Sequence, residues 1–242
     1  MKIERFINKI NKSAQEYPKD IFSNKNKIYT CVNPFSYHLV RKDFDLFNSM
    51  DGIFVDGVTM CWWVKLLWKK SIPRLSFDMT GMAKDLFSFL NKNNDRTIYF
   101  IGAKQNEIEQ SIKNIKVSFS NISIAGFRNG YFLSKEDRLN SIQEIIKINP
   151  DYIVVGMGSP LQEKYLRDLK HQGFTGIGFT CGGFLHQTTN SINYYPRWVN
   201  KWNLRAFYRL FHEKGLFKRL YNVLIEFPSL FLYDSINSKL IK

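Results

Sequence analysis

KIYTCVNPFSYHLVRKDFDLFNSMDGIFVDGVTMCWWVKLLW, residues 27–68, holds two strand-turn-helix units in succession. KIYTCV (Lys27–Val32) and GIFV (Gly52–Val55) are short apolar runs between polar neighbours, the pattern of strands buried on both faces. After the first run, Asn33-Pro34 supplies an N-cap and a residue of fixed φ suited to a first helical turn, and the spacing predicts a helix to about Phe47. After the second, Asp56-Gly57 turns into VTMCWWVKLLW, a second helix. Working outward, further strands are expected at TIYFIGA (97–103), ISIAGF (122–127), DYIVVGMG (151–158) and GIGFTCGG (176–183), with helices near 80–92, 105–116, 134–148 and 160–172. This alternation predicts an α/β fold, a mainly parallel sheet with helices on both faces.

In such sheets ligands bind beyond the carboxyl ends of the strands, where loops of different βα units converge. The expected cluster is therefore Thr30 and Asn33, Asp56 and Gly57, Gly102, residues 156–162 and residues 181–183. Asp56 ends a hydrophobic strand, where a carboxylate can act as a general base or bind a sugar hydroxyl; the competing reading is a helix cap beside a turn glycine. IPRLSFDMTG (72–81) pairs Arg74, whose planar donors suit phosphate, with Asp78; a surface Arg and a capping Asp are equally compatible. GMGSPLQEK (156–164) closes a strand with Gly156 and Gly158 and opens a helix carrying Gln162 and Glu163, an arrangement suited to anions or nucleotides. With Leu161 in the last glycine position it is not a dinucleotide fingerprint, which argues against a nicotinamide-dependent oxidoreductase. CGGFLHQ (181–187) sets Gly182 and Gly183 where a ligand can approach the backbone, and His186 serves there as acid, base or phosphate donor, or only as a structural residue. Asp43-Phe44-Asp45 matches a metal-holding DxD but falls inside the predicted 33–47 helix, which favours a solvated face.

Composition narrows the partners. The 242 residues contain 35 Lys/Arg against 21 Asp/Glu, a net charge of +14, and 44% are hydrophobic, so the chain folds and seeks something anionic. Cys31, Cys61 and Cys181 are odd in number and lack zinc-type spacing, which fits a reducing, cytosolic setting. The N-terminal stretch MKIERFINKINKSAQEYPKD reads as a polar leader without the apolar core of a secretory signal. VLIEFPSLFLY (223–233), interrupted by Glu226 and Pro228, is too short to span a bilayer but can lie on one. Residues 194–221 interleave aromatic and basic side chains, with seven Lys/Arg and one acid between Arg197 and Arg219. Lys201, Arg205 and Arg209 recur every fourth position and stack on one helical face. Such a segment suits a lipid surface, and the alternative is a nucleic-acid-binding protein.

Read together, TCVNP (30–34), VDGVTM (55–60), PRLSFDM (73–79), FIGAK (100–104), NGYF (129–132), VVGMGSPLQEKY (154–165), CGGFLHQ and PRWVNKWNLRAFYRLFHE (196–213) resemble, in order, the WecG/TagA/CpsF family of bacterial glycosyltransferases over roughly residues 28–220. The resemblance implies a Rossmann-like core (1–193) and a basic, membrane-docking helical appendage (194–242) that helps complete the active site. It implies an inverting transfer, without cofactor or metal, of an N-acetylmannosamine-type residue or other hexose from a UDP-sugar to an undecaprenyl-diphosphate-linked saccharide, at the cytoplasmic face of the bacterial plasma membrane. The partners then include an anionic membrane surface and no nucleic acid, and a homo-oligomer is left open. By position, Asp56 matches the catalytic base; Thr30, Asn33, Arg74, Asp78, Gln162 and Glu163 match pocket residues; Arg209 and Arg219 are the candidates for the diphosphate. Where relatives often read GGAFDF, this chain has GGFLHQ, so His186 stands in place of an aspartate.

Overall fold

The computed structural model describes residues 2–192 and 220–240, together with Val199 and Tyr208. Six strands, β1 (Lys27–Val32), β2 (Gly52–Val55), β3 (Thr97–Gly102), β4 (Ser123–Arg128), β5 (Tyr152–Gly156) and β6 (Ile177–Thr180), form one sheet in the order β2-β1-β6-β5-β3-β4. Every neighbouring pair is parallel, and the register runs Tyr29 to Gly52, Tyr29 to Phe179, Val154 to Phe179 and Phe100 to Val154. The expected parallel α/β sheet is therefore what forms, with β6 inserted at its centre.

Strand side chains alternate between two cores, as the two-residue period of a strand requires. Ile28, Val32, Ile53, Val55, Tyr99, Ile101, Ile153 and Val155 point to one face. There they meet α1 (Lys2–Glu16), α2 (Tyr37–Lys42), α3 (Phe44–Asn48), α4 (Val58–Trp68), α7 (Lys135–Ile148) and α8 (Leu161–His171). Tyr29, Phe54, Ile98, Phe100, Tyr152, Val154 and Phe179 point the other way, towards α5 (Met82–Lys92), α6 (Gln105–Ser118) and the short α9 (Phe184–Gln187).

Three readings of local sequence change. The polar leader is α1: Ile3, Phe6, Ile7 and Ile10 lie at helical spacing and are buried, while Lys2, Arg5 and Lys12 are exposed. The single helix predicted after Pro34 is broken. A 3-10 turn (Pro34–Ser36) leads into α2, and Asp43 then caps α3 by accepting a hydrogen bond from Leu46 N at 3.2 Å. Asp43 thus stands at a helix start rather than inside a helix, and Asp45 follows it in the first turn. The interrupted apolar run near 223–233 is continuous helix, a π-helical turn (Asn222–Glu226) followed by α10 (Phe227–Leu240). Pro228 follows directly on the π-helical turn, whose wider winding already departs from the regular i→i−4 bonding that a proline would interrupt.

The inner side of α10 packs on the same core as the sheet. The rings of Phe227 and Phe231 each lie 5.4 Å from Tyr37, whose hydroxyl donates to Asp234 at 2.8 Å. Arg41 donates twice to that carboxylate, and Trp68 Nε1 donates to Ser235 Oγ at 3.0 Å. No described helix is long and apolar enough to cross a membrane.

Candidate active site

Because all six strands are parallel, their carboxyl ends lie on one edge of the sheet and the loops that follow share one mouth. Asp56, Asn33, Gly182, Gly158, Ala103 and Asn129 follow strands β2, β1, β6, β5, β3 and β4 in that spatial order. The structure thus brings together the strand-end residues expected from sequence, drawn from positions more than a hundred apart.

At the β2 end, Asp56 N donates to Val32 O at 2.8 Å, which fixes the carboxylate beside Asn33 and Gly57. The segment after α4 returns over this point, and Leu75 N donates to Val55 O at 2.9 Å. That return delivers Arg74, whose Nη2 donates to Asp56 Oδ1 at 2.8 Å and to Ser76 Oγ at 2.9 Å. Ser76 Oγ donates to Asp78 Oδ2 at 2.6 Å, and Arg74 also lies 3.5 Å from Asp78. Asp78 accepts from the backbone and hydroxyl of Thr80 as well. One guanidinium therefore bridges two carboxylates, with Asp56 left partly open to solvent (28%). Asn33 Oδ1 accepts from Ser36 N at 2.9 Å, so its side chain holds the β1 turn.

A second network lies beneath the mouth. Cys31 N donates to Thr180 Oγ1 at 3.3 Å, Thr180 Oγ1 donates to Thr30 Oγ1 at 2.9 Å, and Thr30 Oγ1 donates to Glu163 Oε1 at 2.8 Å. Ser159 Oγ donates to Glu163 Oε2 at 2.9 Å and Gln162 Nε2 to Oε1 at 3.1 Å. Gln162 Oε1 in turn accepts from Gly182 N at 3.2 Å. Thr30, Gln162 and Glu163 are buried, and burial pushes the Glu163 carboxyl upward against the pull of its hydrogen bonds. In this structure the three residues fasten the loops after β5 and β6 to β1, while the backbone of Gly158 and Gly183 is exposed at the mouth.

Two glycines at this edge take backbone angles that L side chains rarely adopt. Gly102 has φ +150°, and a Cβ there would overlap the carbonyl oxygen of Gly156 on the neighbouring strand. Gly182 has φ +54° with open space beside it, a left-handed backbone that leaves its surface clear.

On the far side of the mouth, His186 Nδ1 lies 3.0 Å from Glu107 Oε1, and the imidazole is largely exposed. Glu107 Oε2 accepts from Lys104 N at 2.9 Å, and that backbone donor with His186 holds its carboxyl below the ordinary value. Local sequence reading passed over Glu107, although its position three residues into a helix start is a capping-box signal. Ser159 lies within the expected 156–162 stretch, whereas Ser76 and Thr180 are not among the expected residues; of these two, Ser76, between Arg74 and Asp78, has a local cue. Among the described residues no group of three His, Cys, Asp or Glu could hold a metal ion. Lys201, Arg205, Arg209 and Arg219 lie outside the described residues.

A galactosyltransferase of Shigella boydii, UDP-Gal:alpha-D-GlcNAc-diphosphoundecaprenol beta-1,4-galactosyltransferase, is 34% identical over 215 residues, covering 89% of this chain and 88% of its own. An N-acetylglucosaminyldiphosphoundecaprenol N-acetyl-beta-D-mannosaminyltransferase of Bacillus subtilis is 29% identical over 201 residues, covering 81% and 75%. The model of the glycosyl transferase WecG/TagA/CpsF family matches residues 3–240. With that match running from the first turn of α1 to the last residue of α10, the chain belongs to the WecG/TagA/CpsF family of glycosyltransferases.

Proposed function

We propose that the protein transfers a hexose from a UDP-sugar to an undecaprenyl-diphosphate-linked saccharide in the synthesis of a cell-surface polysaccharide or teichoic acid precursor. The observation that carries the reading is Asp56, fixed at the carboxyl end of β2 and held by Arg74 at 2.8 Å, in a chain 34% identical to an enzyme of that substrate pair. Asp56 takes the proton of the acceptor hydroxyl as its oxygen bonds to the anomeric carbon. The bond from that carbon to the UDP oxygen breaks, UDP leaves with the electron pair, and the anomeric configuration inverts. Arg74 orients Asp56 and offers its guanidinium to the leaving diphosphate, where a planar cation is most useful.

The glycine backbones at 102, 156, 158, 182 and 183 let the donor lie against the sheet edge, and Gly57 does the same beside Asp56. Thr30, Asn33, Asp78, Gln162 and Glu163 shape that surface, and His186 faces the donor from the opposite rim. Residues 194–242 act as the basic appendage: Lys201, Arg205, Arg209 and Arg219 meet the lipid-linked diphosphate and anionic headgroups, each cation contributing about 1 kcal/mol at such a surface. The enzyme therefore works peripherally at the cytoplasmic face of the plasma membrane. No observation favours nucleic acid as the partner.

The test is a donor screen with UDP-sugars and an undecaprenyl-diphosphate N-acetylglucosamine acceptor, reading UDP release and product stereochemistry. UDP release that requires both substrates, yields the inverted anomer and is lost in Asp56→Ala is expected. Full turnover by Asp56→Ala, or a product of retained configuration, would sink the reading.

A further inference from the structure

Helix α4 is apolar all round: in VTMCWWVKLLW only Lys65 carries charge. Such a helix ordinarily lies enclosed in a core. Met60, Cys61 and Val64 are buried, yet Trp62 and Leu66 are each 68% exposed. Val58, Trp62, Lys65 and Leu66 stand at i, i+4, i+7 and i+8, which places all four on one face of the helix. Lys69, exposed at the C-cap, follows four residues after Lys65, so the strip alternates large apolar groups with cations. Its position ties it to the reaction. Asp56 and Gly57 directly precede the helix, and at 1.5 Å per residue Trp62 lies about 6 Å and Leu66 about 12 Å along the axis from Val58.

We propose that this strip receives the lipid end of the acceptor, its diphosphate at Lys65 and Lys69 and its first isoprene units over Trp62 and Leu66. In a lipid-linked saccharide whose reacting hydroxyl sits at Asp56, the diphosphate and then the prenyl chain extend outward. Cations and apolar groups are both needed at that reach, and α4 supplies both. The ammonium groups meet the diphosphate as point charges, while the indole of Trp62 and the Leu66 side chain cover prenyl surface that would otherwise face water. A second copy of the chain fits less well, because a two-fold contact across the strip would bring Lys65 and Lys69 against their own counterparts. The proposal rests on the reading that the acceptor is a prenyl-diphosphate saccharide. It assigns part of acceptor recognition to the core beside Asp56, apart from residues 194–242.

The test uses the full chain in solution without vesicles, so that binding to a bilayer does not enter. UDP release is measured, with each UDP-sugar of the donor screen, on N-acetylglucosaminyl diphosphate esterified to methanol or to farnesol, and the mass of the protein is measured by sedimentation equilibrium. Trp62→Ser/Leu66→Ser and Lys65→Gln/Lys69→Gln are compared with wild type, each checked for an unchanged melting temperature. Wild type is expected to show a lower KM for the farnesyl ester than for the methyl ester. Trp62→Ser/Leu66→Ser is expected to raise the farnesyl KM about tenfold, so that the two acceptors converge. Lys65→Gln/Lys69→Gln is expected to raise both KM values about fivefold and to keep their ratio. Equal KM values in wild type, or a ratio that Trp62→Ser/Leu66→Ser leaves in place, would overturn the proposal alone, and so would a wild-type dimer that this variant dissociates. A wild type that releases UDP with neither acceptor overturns the transferase reading together with the proposal.

Discussion

Thr30 on β1 and Glu163 on α8 are 133 residues apart in the chain and share a buried hydrogen bond of 2.8 Å. The direction of every donor in this network is fixed from its start. Cys31 N can only donate, so Thr180 passes its own hydrogen to Thr30, and Thr30 passes its hydrogen to the carboxylate. Glu163 is the common acceptor for three donors, and the loops at the mouth depend on it.

Glu163→Ala leaves Thr30, Ser159 and Gln162 without that acceptor in a dry site and should destabilise the protein by about 3 kcal/mol or more, measured by urea unfolding. The variant should also lose affinity for the donor, because Gly182 is held through Gln162.

The same residue sets a pH dependence. Burial raises the Glu163 carboxyl in the folded protein, so the folded state holds this proton to higher pH than the unfolded state. Its contribution is fully present below the ordinary glutamate range and is lost as pH rises through the raised folded value. The stability of wild type relative to Glu163→Gln should therefore fall as pH rises through that window, and a difference that stays constant would refute the assignment.

Asp56→Asn keeps the size of the side chain and removes the base. Turnover should drop about 10²–10⁴-fold with little change in melting temperature. Arg74→Lys retains the charge but not the planar fork, and should raise the donor KM about tenfold while the fold survives.

Gly102→Ala places a methyl against the Gly156 carbonyl at a backbone angle that L-residues avoid. A loss of about 2–3 kcal/mol is expected, read as a lower urea midpoint.

Phe231→Ala removes a fully buried ring packed on Tyr37 and should destabilise by about 3–5 kcal/mol. Loss of only the helical signal of α10, with the rest of the protein melting as before, would show that α10 is separable from the core.

Local chemistry made much of the sheet legible. β1, β2 and α4 form at the residues expected, because each is an apolar run closed by a turn or cap that nothing distant overrides. The amphipathic stripe of α1 was also present in the sequence, at Ile3, Phe6, Ile7 and Ile10, but a test for a signal sequence does not look for it. Near the C-terminus, Glu226 and Pro228 resemble breaks until the π-helical turn that holds the first and directly precedes the second is known. Within the site, strand-end position alone pointed to Asp56 and the glycines. The bonds that govern them, Arg74 to Asp56, Thr180 to Thr30 and His186 to Glu107, join separate elements, and no spacing in the chain encodes them.

The insertion of β6 at the centre of the sheet sets a timetable for synthesis. β1 pairs with β2 early, and β3, β4 and β5 pair among themselves, but the two groups share no strand until residues 177–180 have left the ribosome. At ordinary elongation rates that is on the order of ten seconds after β1 has emerged. For that interval the inner edge of β1 is an open template for pairing with other chains, joined near its end by that of β5, so the nascent protein is most exposed to aggregation and to chaperones before β6 arrives.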